Sequence, residues 1–173
     1  MPEAEFLTHR LLVRRWNDDD IDALHEVYGD EDAMRWVGDG HAISRDDCVR
    51  WLAVTRNNYL KRGYGMFAIE LRAQPGVIGF CGIVHPDGQI EPEVKYALRR
   101  SHWGQGFATE AVRGLIDHAH RRLGIDFLIA TIAPANLASH RVLLKAGMRC
   151  GDLLQDPDGT QTRAFHWQAG AGD

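Results

Sequence analysis

No stretch of this chain approaches the run of roughly 18 apolar residues that a membrane span needs, so no membrane partner is expected. Cysteine is sparse. Cys48, Cys81 and Cys150 are odd in number and far apart, with no Cys-x-x-Cys pair, which argues against a disulfide framework or a thiolate zinc site and predicts reduced, buried thiols. Of nine histidines only His118 and His120 lie close together. Two positions apart on a helix they point to different faces, so no metal is expected. Blocks of one charge are missing as well: 20 Lys and Arg alternate with 24 Asp and Glu for a net −4. That balance excludes a general nucleic-acid binder. The opening Met1-Pro-Glu-Ala-Glu5 lacks a basic region followed by an apolar one, so no signal peptide and a cytoplasmic location are expected. No internal repeat is visible, and only Ala169-Gly-Ala-Gly-Asp173 is of low complexity. The expectation is one domain over residues 1–168 and a flexible tail over 169–173.

What is present alternates helices and strands. Arg10 to Trp16 reads as a first strand, and Asn17 to Asp20 supply acids at the start of a helix with Ile21, Leu24, Val27 and Tyr28 on one face. Ser44 predicts the cap of a second helix, with Asp47 three residues on and Ile43 able to staple to Cys48; Arg62-Gly63 predicts its end. Tyr64 to Leu71, Val77 to Val84 and Glu91 to Arg99 read as a meander of strands. A helix from about Ala108 to Leu123 carries Ala111, Val112, Leu115, Ile116 and Ala119 on one face and Arg113, Asp117, Arg121 and Arg122 on the other. Phe127 to Ala133 follows as an apolar strand. A last helix from about Leu137 to Ala146 and a hairpin of Arg149 to Leu154 with Thr162 to Trp167 close the chain. The strand, helix and strand from Glu91 to Ala133 form a crossover, which makes those two strands parallel neighbours. The fold class is α+β, a mostly antiparallel sheet with one parallel pair at its centre and about four helices.

Ser101-His-Trp-Gly-Gln-Gly-Phe-Ala-Thr-Glu-Ala111 concentrates the functional signal. Two glycines precede a helix whose first N–H groups have no intrahelical partner and sit at the positive end of its dipole. Such a turn cradles an anion, and phosphate is the natural cargo. Gly106-Phe107-Ala108 stands where a nucleotide-hydrolysing loop requires Gly-Lys-Ser/Thr, which excludes that class. A dinucleotide fold is disfavoured by the mixed sheet around the loop. Glu110, in the first helical turn, reads as structural because a carboxylate facing the cargo would repel it.

Gly104-x-Gly106-x-Ala108 resembles the acetyl-CoA pyrophosphate loop of the GNAT acyltransferase family, whose pattern is Gln/Arg-x-x-Gly-x-Gly/Ala. Glu93-Val-Lys-Tyr-Ala-Leu98 is similar to the strand that the family places before this loop. Trp103-Gly-Gln-Gly-Phe-Ala-Thr-Glu-Ala111, Asn136-Leu-Ala-Ser139 and Leu144-Lys-Ala-Gly-Met148 resemble its ribosomal-protein alanine N-acetyltransferase branch. Four positions depart from the pattern. Ser101 replaces Gln or Arg, Met148 replaces an aromatic, Lys95 stands where glycine is common, and Leu143 takes the place of a proton-donating tyrosine.

The resemblance implies acetyl-CoA as donor and a primary amine as acceptor, a protein N-terminus before a small amine such as a polyamine, an amino acid or an antibiotic. A non-catalytic acyl-CoA sensor stays open, as do monomer and homodimer. Pantetheine would pair with backbone at Tyr96, Ala97, Leu98 and Arg99, where Tyr96 or Ala97 would also offer an N–H to the oxyanion. Pyrophosphate would lie on Trp103, Gly104, Gln105, Gly106, Phe107 and Ala108, with Trp103 packed beneath the loop. Arg99 and Arg100 would add charge unless they are a solvated strand end, and Asn136 would bind the pantetheine amides. Glu93 is the candidate base, with a structural salt bridge as the equal alternative; Glu91 and His85 are in reserve. Ser139 is the candidate acid, with helix capping as its alternative. Trp36, Val37, His41 and Trp51 would line the acceptor channel or belong to the core. A protein α-amino group, with pKa near ~8, is partly neutral at pH 7, so the base need only be weak.

Overall fold

A computed structural model describes residues 3–37 and 40–171 of the chain. Eight strands form one sheet in the order β1-β2-β3-β4-β5-β6-β8-β7. They are β1 (Ala4–Leu7), β2 (Leu11–Arg14), β3 (Met66–Leu71), β4 (Gln74–Val84), β5 (Glu93–Leu98), β6 (Phe127–Ile132), β7 (Arg149–Gln155) and β8 (Gln161–Gln168). The helices are α1 (Ile21–Tyr28), α2 (Glu31–Met34), α3 (Arg45–Arg62), α4 (Phe107–Leu123) and α5 (Leu137–Lys145). Among the described residues no helix is long and apolar enough to cross a membrane.

Local chemistry sets the helix ends. Ser44 Oγ accepts the Asp47 N–H at 3.1 Å to start α3, and Gly63, at φ +79°, ends it by donating to Tyr59 O. The full reciprocal cap forms instead at Asn17 and Asp20. Asp20 is not a solvated helix-start acid: it is buried, and Arg14 grips it at 2.7 Å while also holding Glu70 at 2.8 Å. These contacts fasten β2, the turn after it and β3 together. β4 begins three residues earlier than expected, at Gln74, and the register shift beside Glu70 and Leu71 absorbs Pro75 and Gly76 as an irregularity.

Alternation along the strands divides the core between two faces. Phe67, Ile69, Cys81, Ile83, Val94 and Leu98 pack with Ala111, Val112, Leu115 and Ala119 of α4. Met66, Ala68, Phe80 and Ala97 pack on the other face with Leu24, Val27, Tyr28 and Leu52 of α1 and α3. Trp51 joins Trp16, Tyr28 and Phe80 in an aromatic cluster there. Cys48 and Cys81 are buried, whereas Cys150 is exposed because β7 is an edge strand with little covering it. At the chain's end Ala169 N–H donates to Asp126 O and Ala171 N–H to Gln168 O. The chain is therefore held through Ala171, beyond the expected start of a tail; residues 172–173 lie outside the described residues.

The parallel pair is where the sheet opens. β5 and β6 share a single register position, Glu93 with Ile129, with Ile129 N–H bonded to Pro92 O. Beyond it the strands part. The rest of the β6-facing edge of β5, toward Leu98, is left without a strand partner, directly before the turn that leads into α4.

Candidate active site

A cavity of about 770 Å³ fills this opening. Its walls come from α2, β5, the glycine turn, the first turn of α4, β6 and α5. Gly104 (φ +71°) and Gly106 (φ +82°) take the left-handed backbone that lets the turn present its amides. Gly106 is the N-cap of α4, and no side chain caps that helix end. Its first N–H groups face the cavity wall formed by Gly106, Phe107, Ala108 and Thr109.

The turn is braced from a distant part of the sequence. Arg10, just before β2, donates through its backbone N–H and its Nε to the two oxygens of Glu110, both at 2.7 Å, and Thr8 Oγ1 donates at 2.6 Å. Arg10 Nη1 then reaches Gln105 O at 3.0 Å, and the guanidinium lies 4.2 Å from the Phe107 ring centroid. Burial pushes the Glu110 carboxyl up, but the hydrogen bonds from Thr8 and Arg10 outweigh it and hold it below the usual glutamate value. Glu110 is thus structural, and Arg10 is a functional partner that no local sequence signal announces.

The other expected loop contacts divide. Gln105 is exposed, turns its side chain to Ser101 O and does not line the cavity, while Ser101 Oγ pairs with His102 Nδ1. Trp103 does not pack beneath the loop: it is half exposed on the cavity wall, because its indole N–H reaches out to Leu98 O at 2.9 Å. Arg99 points away, into an ion pair with Glu26 of α1. Its neighbour Arg100, in the 3-10 turn that follows β5, lines the cavity, where Asp30 and Asp32 hold it at 2.7 and 3.1 Å. Arg141 and Lys145 also line the wall, on the same side of α5 as Ala138. Their spacing of three and four residues was the available signal.

At the inner end Tyr96, Ala97, Leu98, Asn136 and Ser139 come together. Asn136 is buried and caps α5, with its Oδ1 accepting the Ser139 N–H at 3.2 Å, which leaves its amide N–H groups for a ligand. The Tyr96 hydroxyl is buried and makes no hydrogen bond of ordinary geometry. Burial raises it to about 12, and the neighbouring Ser139 side chain offsets part of that rise. Leu143 is fully buried on the same wall and has no proton to give.

Glu93 is brought near this place but not onto the wall. Thr131 Oγ1 donates to its Oε1, Gln89 Nε2 to its Oε2 at 3.2 Å, and Lys95 Nζ stands 3.3 Å away; Lys95 and Thr131 are the groups that face the cavity. His85 also lies off the wall. Its Nδ1 meets Gln89 O at 3.0 Å, which requires a proton there, so its Nε2 accepts from Tyr64 Oη at 2.8 Å. Trp36 and Val37 line the cavity mouth, whereas His41 is exposed beside Glu31 and Trp51 belongs to the core cluster.

An amide-lined turn, an unpaired strand edge and a polar inner end together make a cleft that suits a long, phosphate-bearing ligand. The comparisons agree. The family described as "Acetyltransferase (GNAT) domain" matches residues 10–149. An "Uncharacterized N-acetyltransferase p20" of Bacillus licheniformis is 28% identical over 150 residues, 86% of this chain and 84% of that protein. "Uncharacterized protein YkkB" of Bacillus subtilis is 30% identical over 160 residues, 88% and 90% of the two chains. A RimL ribosomal L7/L12 alpha-N-protein acetyltransferase solved with coenzyme A superposes with a TM-score of 0.82 at 18% identity, covering 98% of this chain and all of that one. The chain belongs to the GNAT acetyltransferase family and is an acyltransferase.

Proposed function

We propose that the protein transfers acetyl from acetyl-CoA directly to a primary amine held in the same complex, and that the amine is a protein or peptide N-terminus. The observation that carries the donor is the uncapped first turn of α4, opening with Gly104 and Gly106 onto a cavity that runs along the unpaired edge of β5. When bound, acetyl-CoA supplies an activated acetyl thioester and a pyrophosphate handle. Backbone N–H groups of the turn and of α4 bind the pyrophosphate, and Arg10 keeps that turn in shape through Gln105 O and Glu110. The free β5 edge around Tyr96 to Leu98 takes pantetheine amides as an added strand would, and Asn136 Nδ2 donates to one of them. An N–H of Tyr96 or Ala97 meets the developing oxyanion.

Proton movements follow from what stands behind each polar group. Ser139 Oγ, facing the departing sulfur, gives up its proton as Tyr96 Oη behind it refills the serine, and the tyrosine recovers a proton from solvent when the products leave. A serine alone is too weak an acid for that task. On the acceptor side Thr131 Oγ1 connects the cavity to Glu93, so Glu93 takes the amine's proton through the threonine rather than by contact. An amine of pKa near ~8 needs little more. The acceptor reading is supported by the fold shared with a protein N-terminal acetyltransferase. Purified protein incubated with acetyl-CoA and a panel of N-terminal peptides and free amines, with thiol release as the readout, tests it. Release with small amines and none with peptides would reverse the choice of acceptor.

A further inference from the structure

We propose that the acceptor carries a carboxylate alongside its amine, and that Lys95 and Arg35 recognise it; this rests on the acetyl-transfer reading above. Lys95 is the position where this chain departs from glycine in the middle of β5. Glu93, Lys95 and Ala97 share one face of the strand, and Ala97 packs with α1 and α3, so the lysine stands on the face opposite α4. The phosphate-binding turn leads into α4, so Lys95 meets the acceptor rather than the pyrophosphate. Its register partner on β4 is Gly82, which has no side chain to cover it. The Lys95 side chain is 35% exposed on the cavity wall, and a Glu93 oxygen that Thr131 also uses engages one of the three donors of its ammonium. Two donors remain for a ligand.

Charge around the cavity mouth points the same way. Nearby acids are already engaged: Asp30 and Asp32 share Arg100, and Glu26 holds Arg99. Arg35 is different. Among the described residues its guanidinium has the face of Trp36, at 5.4 Å, and no carboxylate, and it lines the mouth of the cavity that Lys95 also faces. Arg35 and the two remaining donors of Lys95 are therefore left for an anionic group of the acceptor. A polyamine has no acceptor to offer these donors, whereas an amino acid, or a peptide with an acidic residue beside its N-terminus, would be held by them. The same lysine disfavours the protonated form of the incoming amine, which suits a site whose candidate base is set back from the wall.

Matched acceptors test this. The full chain is given acetyl-CoA with L-ornithine against putrescine, L-lysine against cadaverine, and an Ala-Asp peptide amide against Ala-Asn peptide amide. In each pair that is turned over, kcat/KM should be about tenfold or more higher for the carboxylate member. Lys95→Met should bring the two members together through KM, Lys95→Arg should keep them apart, and Arg35→Ala, at an exposed position, should narrow the gap without unfolding the protein. Ornithine preferred over the Asp peptide identifies a free amino acid; the reverse identifies an acidic N-terminus. Equal or better use of the diamines and the Asn peptide by the wild type overturns the proposal and leaves acetyl transfer standing, as does Lys95→Met slowing both members alike. Acetyl-CoA binding without transfer to any acceptor would overturn the enzyme reading, and this proposal with it.

Discussion

Glu110→Gln removes the charge on which the brace of the phosphate-binding turn converges. The carboxylate takes three hydrogen bonds, from Thr8 Oγ1, Arg10 N and Arg10 Nε, at 2.6 to 2.7 Å. A glutamine keeps one acceptor oxygen and turns an NH₂ group toward donors, so at least one charge-assisted bond is lost. Such a bond contributes about 1.5–3 kcal/mol when well buried. The Arg10 side chain is 40% exposed and Glu110 18%, so solvent takes back part of this. A loss of about 2 kcal/mol, or about 4–8 °C in Tm for a chain of this length, is expected. The sign with pH is fixed by the depressed carboxyl. Its contribution is fully present above the ordinary glutamate value of 4.5 and is lost as pH falls through the lower folded value. Calorimetry at a series of pH values should show a gap between wild type and variant that is steady near neutrality and closes in acid. Because Arg10 Nη1 also holds Gln105 O, KM for acetyl-CoA should rise about three- to tenfold, as a pre-organised loop loosens. Equal melting temperatures at pH 7, or a gap that persists unchanged in acid, would refute the reasoning.

Gly104→Asp puts a carboxylate beside the bound pyrophosphate and a side chain at φ +71°; since a Cβ there meets nothing within 4 Å, the variant should fold yet bind acetyl-CoA at least about tenfold more weakly by titration calorimetry. Tyr96→Phe should lower kcat about tenfold with KM nearly constant, and a proton inventory in mixed H₂O and D₂O should show one proton fewer in flight. An unchanged inventory would remove the tyrosine from the relay. Glu93→Gln should slow turnover more at pH 6 than at pH 8, where more of the amine is already neutral; a loss equal at both would leave Glu93 as a partner of Lys95 and Thr131 only.

Much of the fold was legible because its signals are local. Ser44 and Gly63 bound α3 within a residue, and α4 starts one residue before the expected Ala108. β1 and α2, four residues each, were too short to show periodicity. In the site, the glycine turn, Asn136 and Ser139 were read from the chain and do line one cavity or its rim. What was not legible is what comes between groups. Glu93 sits behind Thr131 and Lys95, and Arg10 crosses some hundred residues of sequence to reach Glu110. Arg99 and Arg100 part at the 3-10 turn that follows β5, which no periodicity in the chain marks.

The single rung between Glu93 and Ile129 makes this sheet two smaller sheets hinged at one end, five strands on one side and three on the other. The three-stranded part, with α5, shares its apolar packing with α4 but lacks a hydrogen-bonded seam with β5. Its amides should exchange with solvent by a local opening that leaves β1 to β5 intact. A ligand lying in the cleft supplies the missing rungs to β5 and contacts α5 at the same time. Donor concentration then sets how often the smaller part opens, and the protein becomes most resistant to proteolysis when its substrate is abundant.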